Sequence, residues 1–208
     1  MPRNPLRMVA GPARIHRQMN DHFATLALPR RPWLDAEALK EWFHRATAEF
    51  HPDVAVGGDA GRFAEINVAY NVLRDPAERL RHLLELEAPA QLSRPQTIPH
   101  ELADFFMRLA VLRQALDAFA QKESAASSAL ARALLSEEKL ALFRRCADAA
   151  AQLDAAHEHA LAALRELDAE WDSRPADAVE RLAALHQQLA YFTKWRGQLR
   201  AALFQLSP

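Results

Sequence analysis

From Leu102 to Leu206, apolar residues recur at alternating steps of three and four along three successive stretches, and this spacing constrains the fold more than any other feature. Leu102, Phe105, Leu109, Leu112, Leu116 and Phe119 form the first seam. Phe143, Cys146, Ala150, Leu153, His157, Ala160, Leu164, Leu167 and Trp171 form the second. Leu182, Leu185, Leu189, Phe192, Arg196, Leu199, Leu203 and Leu206 form the third. A 3–4 period sets each seam on one side of an α-helix, where it needs a partner surface. Three such seams predict an antiparallel three-helix bundle over 99–208. Pro175 ends or turns the second helix. Glu123 to Ser136, rich in Ser and Ala, reads either as a loop or as an added helix.

Composition supports an all-α chain. Gly is scarce, Ala, Leu, Glu and Arg are abundant, and no alternating β-branched run offers a strand. No apolar run approaches the ~20 residues of a membrane span. Lys+Arg 26 against Asp+Glu 27 leaves no global field for nucleic acid or membrane. A single cysteine, Cys146, excludes an intramolecular disulfide framework and a multi-cysteine zinc module, and the simplest setting is reducing and cytoplasmic. Residues 1–19 carry Arg3, Arg7, Arg14 and Arg17 with no acid. That composition suits a transit peptide or a disordered basic tail, and the tail is the expectation.

The first half has a different rhythm. Asp21 caps a short helix with Phe23 and Leu26, ended by Pro29 and Pro32. Asp35 is the next cap, ahead of Leu39, Trp42, Phe43, Ala46 and Phe50 on one helical face, with Lys40, Glu41, His44 and Arg45 opposite. His51-Pro52-Asp53 follows, and Pro52 holds His51 extended and bars helix there. Asp59 caps a third helix carrying Phe63, Ile66, Tyr70 and Leu73, and Asp75-Pro76 opens a fourth with Leu80, Leu83 and Leu84. Pro89, Pro95 and Pro99 then break the periodicity, so residues 88–98 read as a linker between 20–87 and 99–208.

This order of a helical hairpin around a His-Pro-Asp loop resembles a J-domain, the module by which co-chaperones engage the ATPase half of a heat-shock chaperone of the seventy-kilodalton class. The matching residues are Phe23 to Leu28, Phe50-His51-Pro52-Asp53, and Ile66 to Leu73 followed by Asp75-Pro76. With a short linker, a C-terminal bundle and neither a Gly/Phe-rich region nor a cysteine-rich module, residues 20 to 206 resemble the HscB family, the type III J-proteins of iron–sulfur cluster assembly. The resemblance implies a co-chaperone, not an enzyme, without cofactor or metal, that delivers an IscU-type scaffold protein to an HscA/DnaK-type chaperone and stimulates its ATPase. It implies chaperone contact through His51, Pro52 and Asp53 with Lys40 and Arg45, and scaffold contact through Phe106, Met107, Arg113 and Tyr191. Two alternatives stand beside it: a J-domain adaptor for a different client, and a helical interaction protein with a non-functional J-like half.

Periodicity bears on the same region. At ~100° per residue, Phe106, Met107, Ala110 and Val111 point away from the first seam, with Arg113 and Gln114 on the same outer side. Such a face is either covered or a contact patch. Tyr191 and Trp195 fall off the third seam in the same way. Ala110, Val111 and Gln114 stand where the family has Leu, Glu and Glu, which implies weaker attraction to a basic scaffold surface. Glu49 and Val54 replace basic residues frequent in J-domains, which implies a weaker or more selective chaperone contact.

Other polar residues read as structural. His157 and His159, two apart on a helix, face different sides, and His157 with Cys146 belongs to the core. His100 and His186 have no ligand partner at metal spacing. No nucleophile–base motif or Gly-rich phosphate loop occurs.

Overall fold

The computed structural model describes residues 20–50, 59–93, 100–173 and 175–207, and every regular element among them is helical. Local chemistry sets the N-termini of the first four helices. Asp21 Oδ1 accepts from the amides of Phe23 and Ala24 (3.0 and 3.2 Å) to start α1 (His22–Thr25). Asp35 Oδ1 accepts from Ala38 N (2.8 Å) at α2 (Ala36–Phe50). Asp59 Oδ1 accepts from Arg62 N (3.0 Å) at α3 (Ala60–Arg74). Asp75 Oδ1 accepts from Ala77 N (2.8 Å) ahead of Pro76 in α4 (Pro76–Glu87). Each bond satisfies an amide that the helix itself leaves unpaired, typically contributing about 1 kcal/mol.

α2 and α3 pack as a hairpin through Leu39, Ala46, Ile66, Ala69 and Leu73, with Phe43 stacked on Tyr70 at 4.0 Å. α1 caps the hairpin by burying Phe23 and Leu26 completely, and Arg62 donates to Thr25 O (2.8 Å). One turn of helix, α5 (Pro89–Leu92), lies within the stretch read as a linker. Beyond it come α6 (His100–Ala125), α7 (Ala129–Leu134), α8 (Ser136–Glu170) and α9 (Ala178–Leu206). The undecided stretch from Glu123 to Ser136 therefore holds the end of α6 and a short helix capped by Ser128, whose Oγ accepts from Ala131 N (3.1 Å). α8 packs on both α6 and α9.

The third seam differs from expectation. Trp195 is buried, 4% exposed, whereas Arg196 is half-buried and pairs with Asp154 at 2.9 Å. Ala202 likewise takes the interior place expected of Leu203, and Leu142 that of Phe143. A straight helix drifts ~20° per heptad from a strict 3.5 repeat, so the buried stripe slides across the surface of helices this long. His157, expected in the core, is half-buried, with its ring edge towards Phe192.

α4 packs on α3 and on α9, and its buried face includes two polar residues, Arg79 and His82. Arg79 donates to Pro32 O (2.9 Å) and Leu73 O (2.7 Å). Burial pushes its guanidinium down to about 10, still charged at neutral pH. The α1–α2 loop reaches the end of α8. Trp33 N donates to Asp168 Oδ1 (3.1 Å), Arg31 pairs with Asp168 and Asp172, and Trp171 Nε1 donates to Arg30 O (3.0 Å). The Arg165 guanidinium lies 4.3 Å from the centre of the Trp33 ring. Among the described residues no buried side-chain nitrogen or oxygen lacks a hydrogen-bond partner. The polar joint is thus satisfied, as burial requires.

His82 gives this packing a pH dependence. Its Nε2 accepts from His22 N (3.0 Å), which requires an unprotonated nitrogen there. Burial holds the pKa of His82 below its usual 6.5 and does the same for His22, His157 and His186. With folded pKa values below the unfolded one, the unfolded chain binds more protons in the window beneath 6.5. Stability is therefore full above that value and falls as pH drops through the window. Urea midpoints are expected to decline between about pH 7 and about pH 5. His82→Gln should flatten that decline, and midpoints constant across the range would contradict this account.

Candidate functional site

α2 ends at Phe50 and α3 begins after Asp59, so the His-Pro-Asp segment falls between the two arms of the hairpin. His51, Pro52 and Asp53, like Val54, lie outside the described residues. The α2 residues expected to flank them are in view. Lys40 and Arg45 are both exposed, five residues and so ~140° apart around the helix, and Lys40 Nζ lies 3.9 Å from Glu37 Oε2. An exposed pair at that distance holds the lysine only weakly, leaving it available to another carboxylate. Glu49 is exposed one turn from Arg45 and moderates the positive face.

The second surface is built on α6. Leu102, Leu112 and Phe119 turn inward. The outer side keeps large apolar groups in water: Phe106 is 40% exposed, Met107 63% and Val111 56%. Ala110 is half-buried, and Arg113 and Gln114 are exposed. Tyr191, on α9, is half-buried and stacks on Trp195 with centroids 5.5 Å apart and planes at 19°. Trp195 in turn meets Phe105 at 5.6 Å and Phe106 at 5.9 Å. The fold thus brings Phe106 and Tyr191 into contact with one buried indole, with Met107 next to Phe106 in the chain. Arg113 stands two turns further along α6.

Sequence reasoning placed Trp195 on the outer face with Tyr191, whereas it is the buried strut between Tyr191 and Phe106. Its spacing of four from Tyr191 shows the stack, and only the packing of α6 shows what the stack supports. Two shallow troughs flank the α6 ridge, one of about 400 Å³ toward α8 and one of about 550 Å³ toward α9. Their charged linings, Arg108, Arg145 and Asp148 in the first and Arg113, Lys194 and Asp117 in the second, do not stand out in the sequence. Apolar side chains held in water beside a fixed aromatic stack suit protein docking. Among the described residues no three His, Cys, Asp or Glu side chains converge as a metal site requires, and no helix is long and apolar enough to cross a membrane.

Comparison with known proteins bears on both halves. Residues 21–82 match the DnaJ domain family. The chain is 35% identical over 131 residues to a co-chaperone protein HscB homolog from Paraburkholderia phymatum, covering 59% of this chain and 74% of that protein. It is 40% identical over 73 residues to the HscB homolog of Bordetella petrii, covering 32% of this chain and 43% of that one. Its fold is similar to that of chaperone HscB from Vibrio cholerae, with a TM-score of 0.54 and 22% identity over 90% of this chain and 99% of the other. A DnaJ-domain hairpin joined to the same helical architecture, with identity that runs well beyond the hairpin, places this protein: the chain belongs to the HscB family of co-chaperones.

Proposed function

We propose that this co-chaperone delivers an IscU-type iron–sulfur cluster scaffold protein to an HscA/DnaK-type chaperone in the cytoplasm and stimulates the chaperone's ATPase. Residues 20–87 face the chaperone, and residues 99–208, beyond the 88–98 linker, hold the scaffold. His51, Pro52 and Asp53, with Lys40 and Arg45, make the chaperone contact. Phe106, Met107, Arg113 and Tyr191 make the scaffold contact. The observation that carries the reading is the exposed apolar ridge of Phe106, Met107 and Val111 beside the Tyr191–Trp195 stack, on a chain of the HscB family. Scaffold and chaperone then act on one co-chaperone at once, so ATP hydrolysis coincides with client capture.

Titration calorimetry with the scaffold tests the bundle side. Met107→Ala and Tyr191→Ala are each expected to weaken binding by about tenfold, the loss typical of a well-packed interface anchor. Helicity should not change, since Met107 is exposed and Tyr191 half-buried. Unchanged affinity in both variants would sink the assignment.

A further inference from the structure

α1 is tied down at its two ends by different chemistry. Beyond its C-terminus, Arg30 pairs with Glu87 (3.1 Å) and its carbonyl accepts from Trp171 Nε1 (3.0 Å), groups that keep their charge near neutral pH. At its N-terminus the tie is an imidazole on α4: His22 N donates to the Nε2 of buried His82 at 3.0 Å. The His82 ring stacks on Phe23 with centroids 5.8 Å apart and meets the His22 ring at 4.5 Å. Because Nε2 accepts, the ring's one proton sits on Nδ1, 3.5 Å from Glu85 Oε2. The charged and titratable groups around His82 are Asp21 and His22 at α1, and Arg81 and Glu85 on α4 itself. α9, which also packs on α4, brings His186, whose Nδ1 donates to Ala77 O (3.1 Å) and keeps that bond when the ring is protonated. A second proton on His82 sets Nε2–H against the N–H of His22, two donors face to face. The acceptor that α1 offers this proton is Asp21 Oδ1, 4.0 Å away, which already caps the helix through Phe23 N and Ala24 N.

We infer that His82 is a proton-operated latch on α1: neutral, it holds the helix on α4, and protonated, it releases His22 N, competes for the capping oxygen of Asp21 and frees the N-terminal end of the helix. Release is local. α4 stays fixed by the bonds of Arg79 to Pro32 O and Leu73 O and by its packing on α9. The α1–α2 loop stays on Asp168 and Trp171. What loosens is Phe23, which α1 buries completely where it packs on α3 of the hairpin. Burial holds the pKa of His82 below 6.5 while the latch is closed, and the released ring regains its ordinary value. The open form therefore binds more protons, and opening is favoured as pH falls below 6.5, by up to about tenfold for one proton at one unit below. A proton on His22 opposes one on His82 at this separation, so the pair takes up protons in two steps. The fall in global stability sums every buried histidine, whereas the latch concerns one helix and opens with the rest of the chain folded. The consequence falls on the half that faces the chaperone, and for that consequence alone the inference rests on the proposed function: ATPase stimulation weakens in acid.

Residue-resolved amide hydrogen exchange of the full chain, corrected for its intrinsic pH dependence, tests the latch. Between about pH 7.5 and about pH 5.5, protection of His22, Phe23 and Ala24 is expected to fall several-fold, up to about tenfold, with protection across α8 unchanged. His82→Gln, whose side-chain carbonyl accepts from His22 N without titrating, should abolish the fall. His22→Ala keeps the backbone N–H and should retain it. Constant protection in the wild type, an equal fall in His82→Gln, loss of the fall in His22→Ala, or a fall that spreads equally through α8 overturns the inference. The wild-type and His22→Ala measurements decide it even where His82→Gln does not fold. Stimulation of the chaperone's ATPase by the wild type, divided by that of His82→Gln, cancels the chaperone's own response to pH. The ratio should be near unity at about pH 7.5 and drop several-fold at about pH 5.5. A constant ratio while α1 opens overturns the functional consequence. Absence of stimulation by the wild type at about pH 7.5 refutes the chaperone reading, and the exchange result still decides the latch.

Discussion

His51→Gln or Asp53→Asn is expected to reduce stimulation of the partner chaperone's ATPase by about tenfold or more in single-turnover assays, with scaffold affinity unchanged. The expectation follows from where the segment falls. α2 is described to Phe50 and α3 from Ala60, so His51 and Asp53 fall in sequence between the two arms of the hairpin, and a proline at position 52 disfavours helix at the residue before it. The hairpin beneath is held by Leu39, Ala46, Ile66, Ala69 and Leu73 and by the Phe43–Tyr70 stack, none of which involves the loop. Substitution there should leave helicity and melting temperature in place while removing the contact proposed to drive hydrolysis. Reversing Lys40 or Arg45 to Glu should have a smaller effect, mainly on the rate of association, because exposed charges act over distance and are screened by salt. Full stimulation by both loop variants would show that the J-domain of this chain signals by another route.

Trp171→Ala is expected to destabilise the protein by about 3–5 kcal/mol, the largest effect of any single truncation at the joint. Trp171 is 2% exposed, and its indole N–H donates to Arg30 O across 141 residues of sequence. Removing the ring leaves a cavity among packed neighbours and orphans that carbonyl. Trp171→Phe keeps most of the volume and loses mainly the hydrogen bond, with an expected cost of about 1 kcal/mol. Scanning calorimetry of the two variants separates the packing contribution from the polar one. A loss of under 1 kcal/mol for Trp171→Ala would mean that the loop and the end of α8 are not mechanically joined. At about 2–4 °C per kcal/mol for a chain of this size, the expected fall in Tm for the alanine variant is on the order of 10 °C.

Much of the fold was legible because its determinants are local. Asp21, Asp35, Asp59 and Asp75 accept amide protons two or three residues ahead, and Pro76 occupies a first helical turn where its missing N–H costs nothing. The exposure of Met107 and Val111 was likewise readable, because 100° per residue carries them away from a seam already filled by Phe105, Leu109 and Leu112. The rotation of α9 was not readable. Trp195 and Arg196 are adjacent, and a shift of some tens of degrees decides which of them enters the core. That shift accumulates over a 29-residue helix and is set by what packs on it.

Which helices form, where they start and which broad face is apolar were decided by the sequence alone, since each depends on residues within a turn or two. The tertiary structure decided that α4 lies against α9, that Arg79 is buried against Pro32 and Leu73, and that His82 is buried beside His22 and Phe23. It also decided that Arg30, Arg31 and Trp33 meet Asp168 and Trp171, and that Arg113 and Lys194 face one trough. These contacts join residues from different helices, and no local spacing encodes them. They appear only when the helices have found the rotations that bury their apolar stripes and satisfy every buried polar group at once.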